Sequence, residues 1–147
     1  MKHSTWRKLM LEHGLYLSWF VSMIAVLGSL YFSEIRKFIP CNLCWYQRIF
    51  MYPLVILLGM AAVRRDYRQA HYVLPLAAIG WLISLIHYLM QKTNLFQAVE
   101  NAACGIVPCS GQYINVFGFI TIPFLAFIAF SIIIVLQVCI LRASSKK

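Results

Sequence analysis

This chain has 147 residues, of which 62% are hydrophobic and only 12% are charged. That composition excludes a soluble domain of this size, because soluble domains are about 45–50% apolar and ~25% charged. The mean hydropathy of +0.77 predicts an integral membrane protein. The basic residues that give the formal net charge of +9 should then be distributed unevenly between the two sides of the membrane.

Four long apolar stretches lie at residues 15–32, 45–63, 72–90 and 116–141. A membrane-spanning helix needs about 20 predominantly apolar residues, so each stretch predicts one span. The gaps between them are short, which predicts an all-α, integral membrane four-helix bundle with two short loops that each carry a cysteine pair. We expect a single domain over residues 1–147. We also expect the first helix to stay uncleaved, since no small-residue cleavage site follows it.

Basic residues are concentrated in the two tails and in the loop at residues 64–71. Because positively charged loops stay in the cytoplasm, this pattern predicts that both termini are cytoplasmic and that both cysteine pairs are extracytoplasmic. The charges adjoin helix ends, without the aromatic and basic platform that single strands need, so we expect membrane lipid as a partner and no nucleic acid. The basic residues on the cytoplasmic side are Lys2, Arg7, Lys8, Arg64, Arg65, Arg68, Arg142, Lys146 and Lys147.

The first cysteine pair, Cys41 and Cys44, forms a C-x-x-C motif directly after Pro40. Proline disfavours helix at the residue before it, so the motif should open the second helix. A helix N-terminus favours a thiolate, and we expect Cys44 to be that thiolate. Arg48 follows by one helical turn and should lie on the same face. It is either an interfacial anchor or a partner of the Cys44 thiolate and of a quinone carbonyl.

The second pair, Cys104 and Cys109, lies in the loop between the third and fourth apolar stretches. It is either a disulfide that staples this loop or the second member of a redox relay, since two neighbouring pairs can exchange disulfides. His87, near the outer end of the third helix, is either an interfacial residue or a hydrogen-bond donor to a quinone. Cys139 lies in an apolar run, where a free thiol behaves as a small apolar residue.

Several motifs together resemble a known family. They are GSLYFSEIRKFIPC at residues 28–41, WYQR at 45–48, CSGQYIN at 109–115 and GFITIP at 118–123. With the four-helix layout, they resemble the bacterial DsbB family of thiol:quinone oxidoreductases over nearly the whole chain, and most closely its Gram-positive branch. The short spacing of the second pair matches that branch.

The resemblance implies a function for each of the four cysteines. A reduced extracytoplasmic thioredoxin-fold thiol–disulfide oxidoreductase of the DsbA type would attack the Cys104–Cys109 disulfide, at Cys104. Cys109 would then attack Cys41 and release Cys44 beside a quinone, whose carbonyl Arg48 polarises. For the Gram-positive branch the quinone would be menaquinone. The chain would therefore work in the bacterial cell membrane and sustain disulfide formation in exported proteins.

Three other interpretations stay open from the residues alone. Four extracytoplasmic cysteines can hold a structural zinc ion, although an oxidising compartment opposes four persistent thiolates. A protein of the vitamin K epoxide reductase type also combines a small helical bundle with a C-x-x-C motif and a quinone, but its motif lies late in the chain. A passive membrane scaffold would leave the paired cysteines unexplained.

Overall fold

The computed structural model describes residues 2–93, 97–109, 111, 117–118 and 120–145. Its helices are α1 (Lys2–Leu30), α2 (Asn42–Arg64), α3 (Ala70–Lys92), α4 (Gln97–Ala103) and α5 (Ile122–Ser145). All except α4 are long and apolar enough to span a membrane. Within these residues the regular structure is helical, so the predicted fold class of four long apolar helices is confirmed.

The first helix is longer than its apolar stretch. It begins at Lys2 and continues past Leu30 into a π-helical turn over Tyr31–Ile35. Hydropathy marks only the part of a helix that lies in lipid, so a polar helical extension leaves no hydropathy signal. The π-helical turn is of interest because such turns occur frequently at functional sites.

The last helix begins later than predicted. The predicted start at Val116 lies outside the described residues, and α5 begins at Ile122. Phe117 and Gly118 have left-handed backbone, with φ of 54° and 82°, which is incompatible with a continuous right-handed helix. Pro123 lies in the first turn of α5, where its fixed φ suits a helix start. The short helix α4, which precedes Cys104, was not predicted.

The four long helices pack around an apolar core in the middle of the bundle, in which α3 and α5 approach closely. A Cβ atom at Gly80 would lie 2.3 Å from Cζ of Phe130, so only glycine fits there. The buried core consists of Met51, Leu54, Leu58, Val73, Ala77, Ala129, Phe130 and Ile133. Many large apolar side chains on the outside of the bundle are exposed, as expected where helices face lipid.

Both tails and the α2–α3 loop lie at one end of the bundle. There Arg7 Nη2 donates to the carbonyl of Ala143 at 2.8 Å, and Arg65 pairs with Glu12 at 3.1 Å. In the same half, Gln137 Nε2 donates to Ser18 Oγ at 3.0 Å. Since consecutive spans run in opposite directions, both cysteine pairs lie at the other end. That this other end is extracytoplasmic stays a prediction.

Candidate active site

The first cysteine pair caps and opens α2. Cys41 is the N-cap residue, with extended backbone, and Cys44 lies in the first helical turn, as predicted from Pro40. Their Sγ atoms are 3.2 Å apart, longer than the ~2.0 Å of a disulfide bond, so both are free thiols in this state. Cys41 is buried and Cys44 is partly buried, so the two thiols differ in access. The first-turn position means that this pair can close and open with little backbone movement.

The second pair is joined as a disulfide between Cys104 and Cys109. Cys104 directly follows α4, and its amide donates to the carbonyl of Glu100 at 2.9 Å. Cys109 is buried, whereas Ile106 at the tip of the small ring is fully exposed. One sulfur therefore faces inwards, and the ring between the cysteines faces outwards.

The two pairs meet at the end of the bundle opposite to the tails. Cys41 and Cys109 belong to one buried cluster together with Leu43 and Met90. Cys44 and Cys104 pack against the same cluster. Disulfide exchange requires direct contact between sulfurs, and this arrangement brings an inner cysteine of each pair into one place.

His87 lies in the same cluster of contacts and is only 1% exposed. Its Nε2 is 3.7 Å from Cys41 Sγ and 3.2 Å from the main-chain oxygen of Cys109. Its Nδ1 is 2.9 Å from Gln47 Nε2. The sequence left His87 as either an interfacial residue or a hydrogen-bond donor to a quinone, and the structure places it, buried, between the two cysteine pairs.

The surroundings of Cys41 favour its thiolate. The hydrogen bond with the Cys44 thiol, together with the hydrogen bond from His87, lowers the pKa of Cys41, although burial opposes this. The sequence predicted the thiolate at Cys44. In the dithiol arrangement seen here, the sulfur–sulfur hydrogen bond instead stabilises charge on Cys41.

Arg48 lies one turn beyond Cys44 and is held by the end of the first span. Its Nη2 donates to the carbonyl of Ser29 at 3.1 Å and to Ser33 Oγ at 2.8 Å. Its guanidinium also lies over the ring of Trp45, 5.4 Å from the centroid. The arginine is therefore fixed in orientation.

A cavity of about 420 Å³ adjoins Cys44 and Arg48. Its wall is mostly apolar and comes from α1 with its π-helical turn, from α2 and from α5, in the half of the bundle that carries the cysteine pairs. Polar atoms enter it mainly from Ser29, Ser33, Gln47 and Arg48. Ligand cavities of ~300–1,000 Å³ with apolar walls and few polar groups suit organic cofactors. Size and lining therefore fit a quinone ring.

His87 does not line this cavity. It lines a second, small cavity together with Cys41, Cys44 and Gln91, whereas Gln47, its hydrogen-bond partner, lines the large cavity. Direct contact between His87 and a quinone stays a prediction. Sequence reasoning missed Gln47 and Ser33, whose only signal was a polar side chain within a largely apolar helix.

One group of side chains at this site has donor atoms that could bind a metal ion. In the described part of the chain, Cys41, Cys44 and His87 place their donor atoms within 4.8 Å of one another. A zinc site built from all four paired cysteines would need Cys104 and Cys109 as thiolates. These two are joined to each other, so that four-cysteine site is not formed in this state.

Known proteins resemble this chain along most of its length. The family model described as "Disulfide bond formation protein DsbB" matches residues 12–140. The chain is 61% identical to disulfide bond formation protein C of Bacillus subtilis, over 90% of this chain and 95% of the relative. It is 43% identical to a probable disulfide formation protein of Coxiella burnetii, over 83% of each. No solved structure matches it.

Proposed function

This chain belongs to the DsbB family, and on that basis we propose that it is a thiol:quinone oxidoreductase that reoxidises a thioredoxin-fold carrier. Family membership and four apolar helices make it a multi-pass membrane protein of disulfide bond formation. The proposal adds the donor and acceptor of electrons. The donor is an extracytoplasmic thiol–disulfide oxidoreductase of the DsbA type, and the acceptor is a membrane quinone, which we take to be menaquinone.

The position of Cys44 carries this proposal. Cys44 lines the small cavity with Cys41 and His87, and it also lines the large cavity with Arg48. It is the one described cysteine in the wall of the large cavity. Electrons that reach the first pair can therefore leave it through Cys44 towards an acceptor beside Arg48.

Electrons enter through the second pair. The carrier thiolate attacks Cys104, a carrier–Cys104 disulfide forms, and Cys109 leaves as a thiolate. Attack at Cys104 is favoured because Cys109 is buried. Cys109 then attacks Cys41, so that a Cys41–Cys109 disulfide forms and Cys44 leaves as a thiolate. No electrons are lost in these exchanges.

Electrons leave through the first pair. A quinone held in the large cavity supplies a two-electron, two-proton acceptor. Arg48 would hold its carbonyl oxygen and stabilise negative charge there, and Cys44 would supply the electron pair. The second thiolate of the same carrier attacks the carrier–Cys104 disulfide and releases Cys104. Cys104 then re-forms its bond with Cys109, which frees Cys41. Finally, Cys41 re-forms the disulfide with Cys44. In total the carrier loses two electrons and two protons, and the quinone gains them.

The direct test uses the full chain in nanodiscs, a reduced DsbA-type carrier and a naphthoquinone. We expect one quinone reduced for each carrier disulfide formed, with loss of turnover in Cys41→Ser and in Cys44→Ser. Cys139→Ser is the matched control and should retain turnover, because Cys139 lies in α5 at the opposite end of the bundle from the site. Turnover that survives in Cys44→Ser, or that disappears on chelation of metal ions, would overturn the proposal.

A further inference from the structure

His87 connects the two cysteine pairs through a single ring nitrogen. Its Nε2 lies 3.7 Å from Cys41 Sγ and 3.2 Å from the carbonyl oxygen of Cys109. The ring is only 1% exposed, so water does not compete for these contacts. His87 therefore lies between the two cysteine pairs, where disulfide exchange takes place, and not in the wall of the large cavity.

The partners of the ring define where its proton lies. A carbonyl oxygen only accepts hydrogen bonds, so the contact with Cys109 requires a hydrogen on Nε2. At Nδ1 the amide nitrogen of Gln47 approaches to 2.9 Å, and an amide nitrogen only donates. His87 is therefore neutral with its hydrogen on Nε2, and this hydrogen points at Cys109 and Cys41.

We propose that His87 is a catalytic residue of the exchange between the two pairs, in which its Nε2–H group stabilises Cys41 Sγ as the leaving thiolate. The same N–H group holds the main chain of Cys109 beside that sulfur. Gln47 is a positioning residue, since it acts by fixing the tautomer of His87. The place of this step in the reaction rests on the proposed relay.

The step in question is the return of the second pair to its disulfide. Cys104 attacks Cys109 in the Cys41–Cys109 disulfide, the Cys104–Cys109 bond forms, and the Cys41–Cys109 bond breaks. The electron pair leaves on Cys41 Sγ, with no net oxidation and no proton transferred. A thiolate of lower pKa leaves faster. The hydrogen bond with the Cys44 thiol is the largest cause of the lowered pKa of Cys41, but the hydrogen bond from His87 is a further cause, and that part of the shift agrees with this role.

The other groups near Cys41 do not replace His87. Within the described residues, the titratable donors that cluster with Cys41 are Cys44 and His87. Cys44 is already a thiolate or bound elsewhere when Cys41 has to leave. Arg48 is held by Ser29 and Ser33. The Nε2–H group is therefore the donor that remains available to Cys41 at this step.

The test removes both the quinone and the carrier, so it stands apart from the test of the proposed function. In a Cys44→Ser, Cys139→Ser background with Cys104–Cys109 closed, Cys41 is the single free thiol. Its ionisation is followed by thiolate absorbance against pH in detergent. We expect His87→Phe to raise the midpoint by about one pH unit, which lowers the thiolate fraction about tenfold at a pH below both midpoints.

Two comparisons separate this role from a structural one. His71→Phe makes the same change at an exposed position in the same helix and should leave the midpoint unchanged. His87→Gln keeps an N–H donor and should restore part of the shift. If His87→Phe does not fold, Gln47→Leu serves instead, and it should raise the midpoint by a smaller amount.

The exchange itself gives a second readout in the same background. When Cys41 attacks Cys109, Cys104 is released and can be trapped by a maleimide, and mass spectrometry then identifies the Cys41–Cys109 bond. At a pH below both midpoints we expect trapping to be about threefold slower in His87→Phe, because the tenfold loss of thiolate is partly offset by higher nucleophilicity. An unchanged midpoint in both His87→Phe and His87→Gln, with both proteins folded, would overturn the proposal.

Discussion

Arg48 Nη2 donates a hydrogen bond of 2.8 Å to the hydroxyl group of Ser33, and this bond connects α2 to the π-helical turn of the first span. Ser33 in turn donates to the carbonyl of Ser29 at 3.0 Å, which is the other acceptor of Arg48. The orientation of Arg48 towards the large cavity thus depends on two serines one turn apart.

We expect Ser33→Ala to weaken quinone binding by about threefold to tenfold, because a hydrogen bond to a charged group contributes roughly 1.5 kcal/mol and the bond to Ser29 remains. Binding can be followed by quenching of tryptophan fluorescence. Ser84→Ala is a matched control, since Ser84 makes the same type of bond to the carbonyl of Gly80 and does not line the cavity. Equal affinities for both variants would show that Ser33 does not orient Arg48.

Substitutions of Arg48 itself should lower quinone affinity and turnover by amounts that depend on how much of the guanidinium group they remove. Arg48→Lys keeps the charge but loses the planar guanidinium, so we expect intermediate quinone affinity and intermediate turnover. Arg48→Ala should lose most of both. The same fluorescence titration and the carrier-oxidation assay measure the series. If Arg48→Ala binds quinone as the unaltered protein does, then Arg48 is an interfacial anchor only.

Cys109→Ser should trap the carrier. Attack on Cys104 needs a disulfide, so the variant is first activated at Cys104 with a small aromatic disulfide. With a carrier whose second cysteine is replaced by alanine, the carrier–Cys104 bond should then persist, because neither Cys109 nor a second carrier thiolate is present to attack it. Non-reducing electrophoresis detects the adduct, and peptide mapping identifies its cysteine. An adduct through Cys41 instead would reverse the assigned order of the two pairs.

The contact between Gly80 and Phe130 should control stability. Gly80→Ala places a Cβ atom against the buried ring of Phe130, and overpacking of this kind typically costs about 1–3 kcal/mol. At Gly28 a Cβ atom would meet nothing within 4 Å, so Gly28→Ala should be neutral or stabilising, as alanine is in most helices. Thermal unfolding in detergent compares the two variants. A lower midpoint for Gly28→Ala than for Gly80→Ala would contradict the packing described here.

Thiol labelling tests the orientation in the membrane. After mild reduction of intact cells whose outer membrane face is accessible, a membrane-impermeant maleimide should label Cys104, which lies near the exposed ring. Cys139 should stay unlabelled until the membrane is opened, because the basic tails and loop predict a cytoplasmic position for that end of α5. Labelling of Cys139 alone in intact cells would invert the topology.

The four spans could be predicted from sequence because a backbone in lipid must satisfy its own hydrogen bonds, which makes a long apolar run a helix. The ends of the helices could not be predicted from the sequence. The residues from Lys2 onwards are helical although polar, and Phe117 interrupts an apolar run through its left-handed backbone. Hydropathy contains neither kind of information.

The local parts of the site could also be predicted, but not its assembly. The relation of Cys41, Cys44 and Arg48 follows from helical spacing. The contact between Gln47 and His87 joins α2 to α3, and that between His87 and Cys109 joins α3 to the second loop. Such contacts depend on how the helices pack, which a single sequence does not encode in any local pattern.

The wall of the large cavity includes Ile24, Ile128 and Ile132, whose side chains are also exposed on the outside of the bundle. On a protein in a bilayer that outside surface touches acyl chains, so the cavity opens sideways into lipid while the ring at Ile106 faces water. In the proposed function, the donor and the acceptor then arrive from different phases. The carrier is supplied in three dimensions, as molecules per volume of water. The acceptor is supplied in two dimensions, and its effective concentration is a mole fraction of the surrounding lipid.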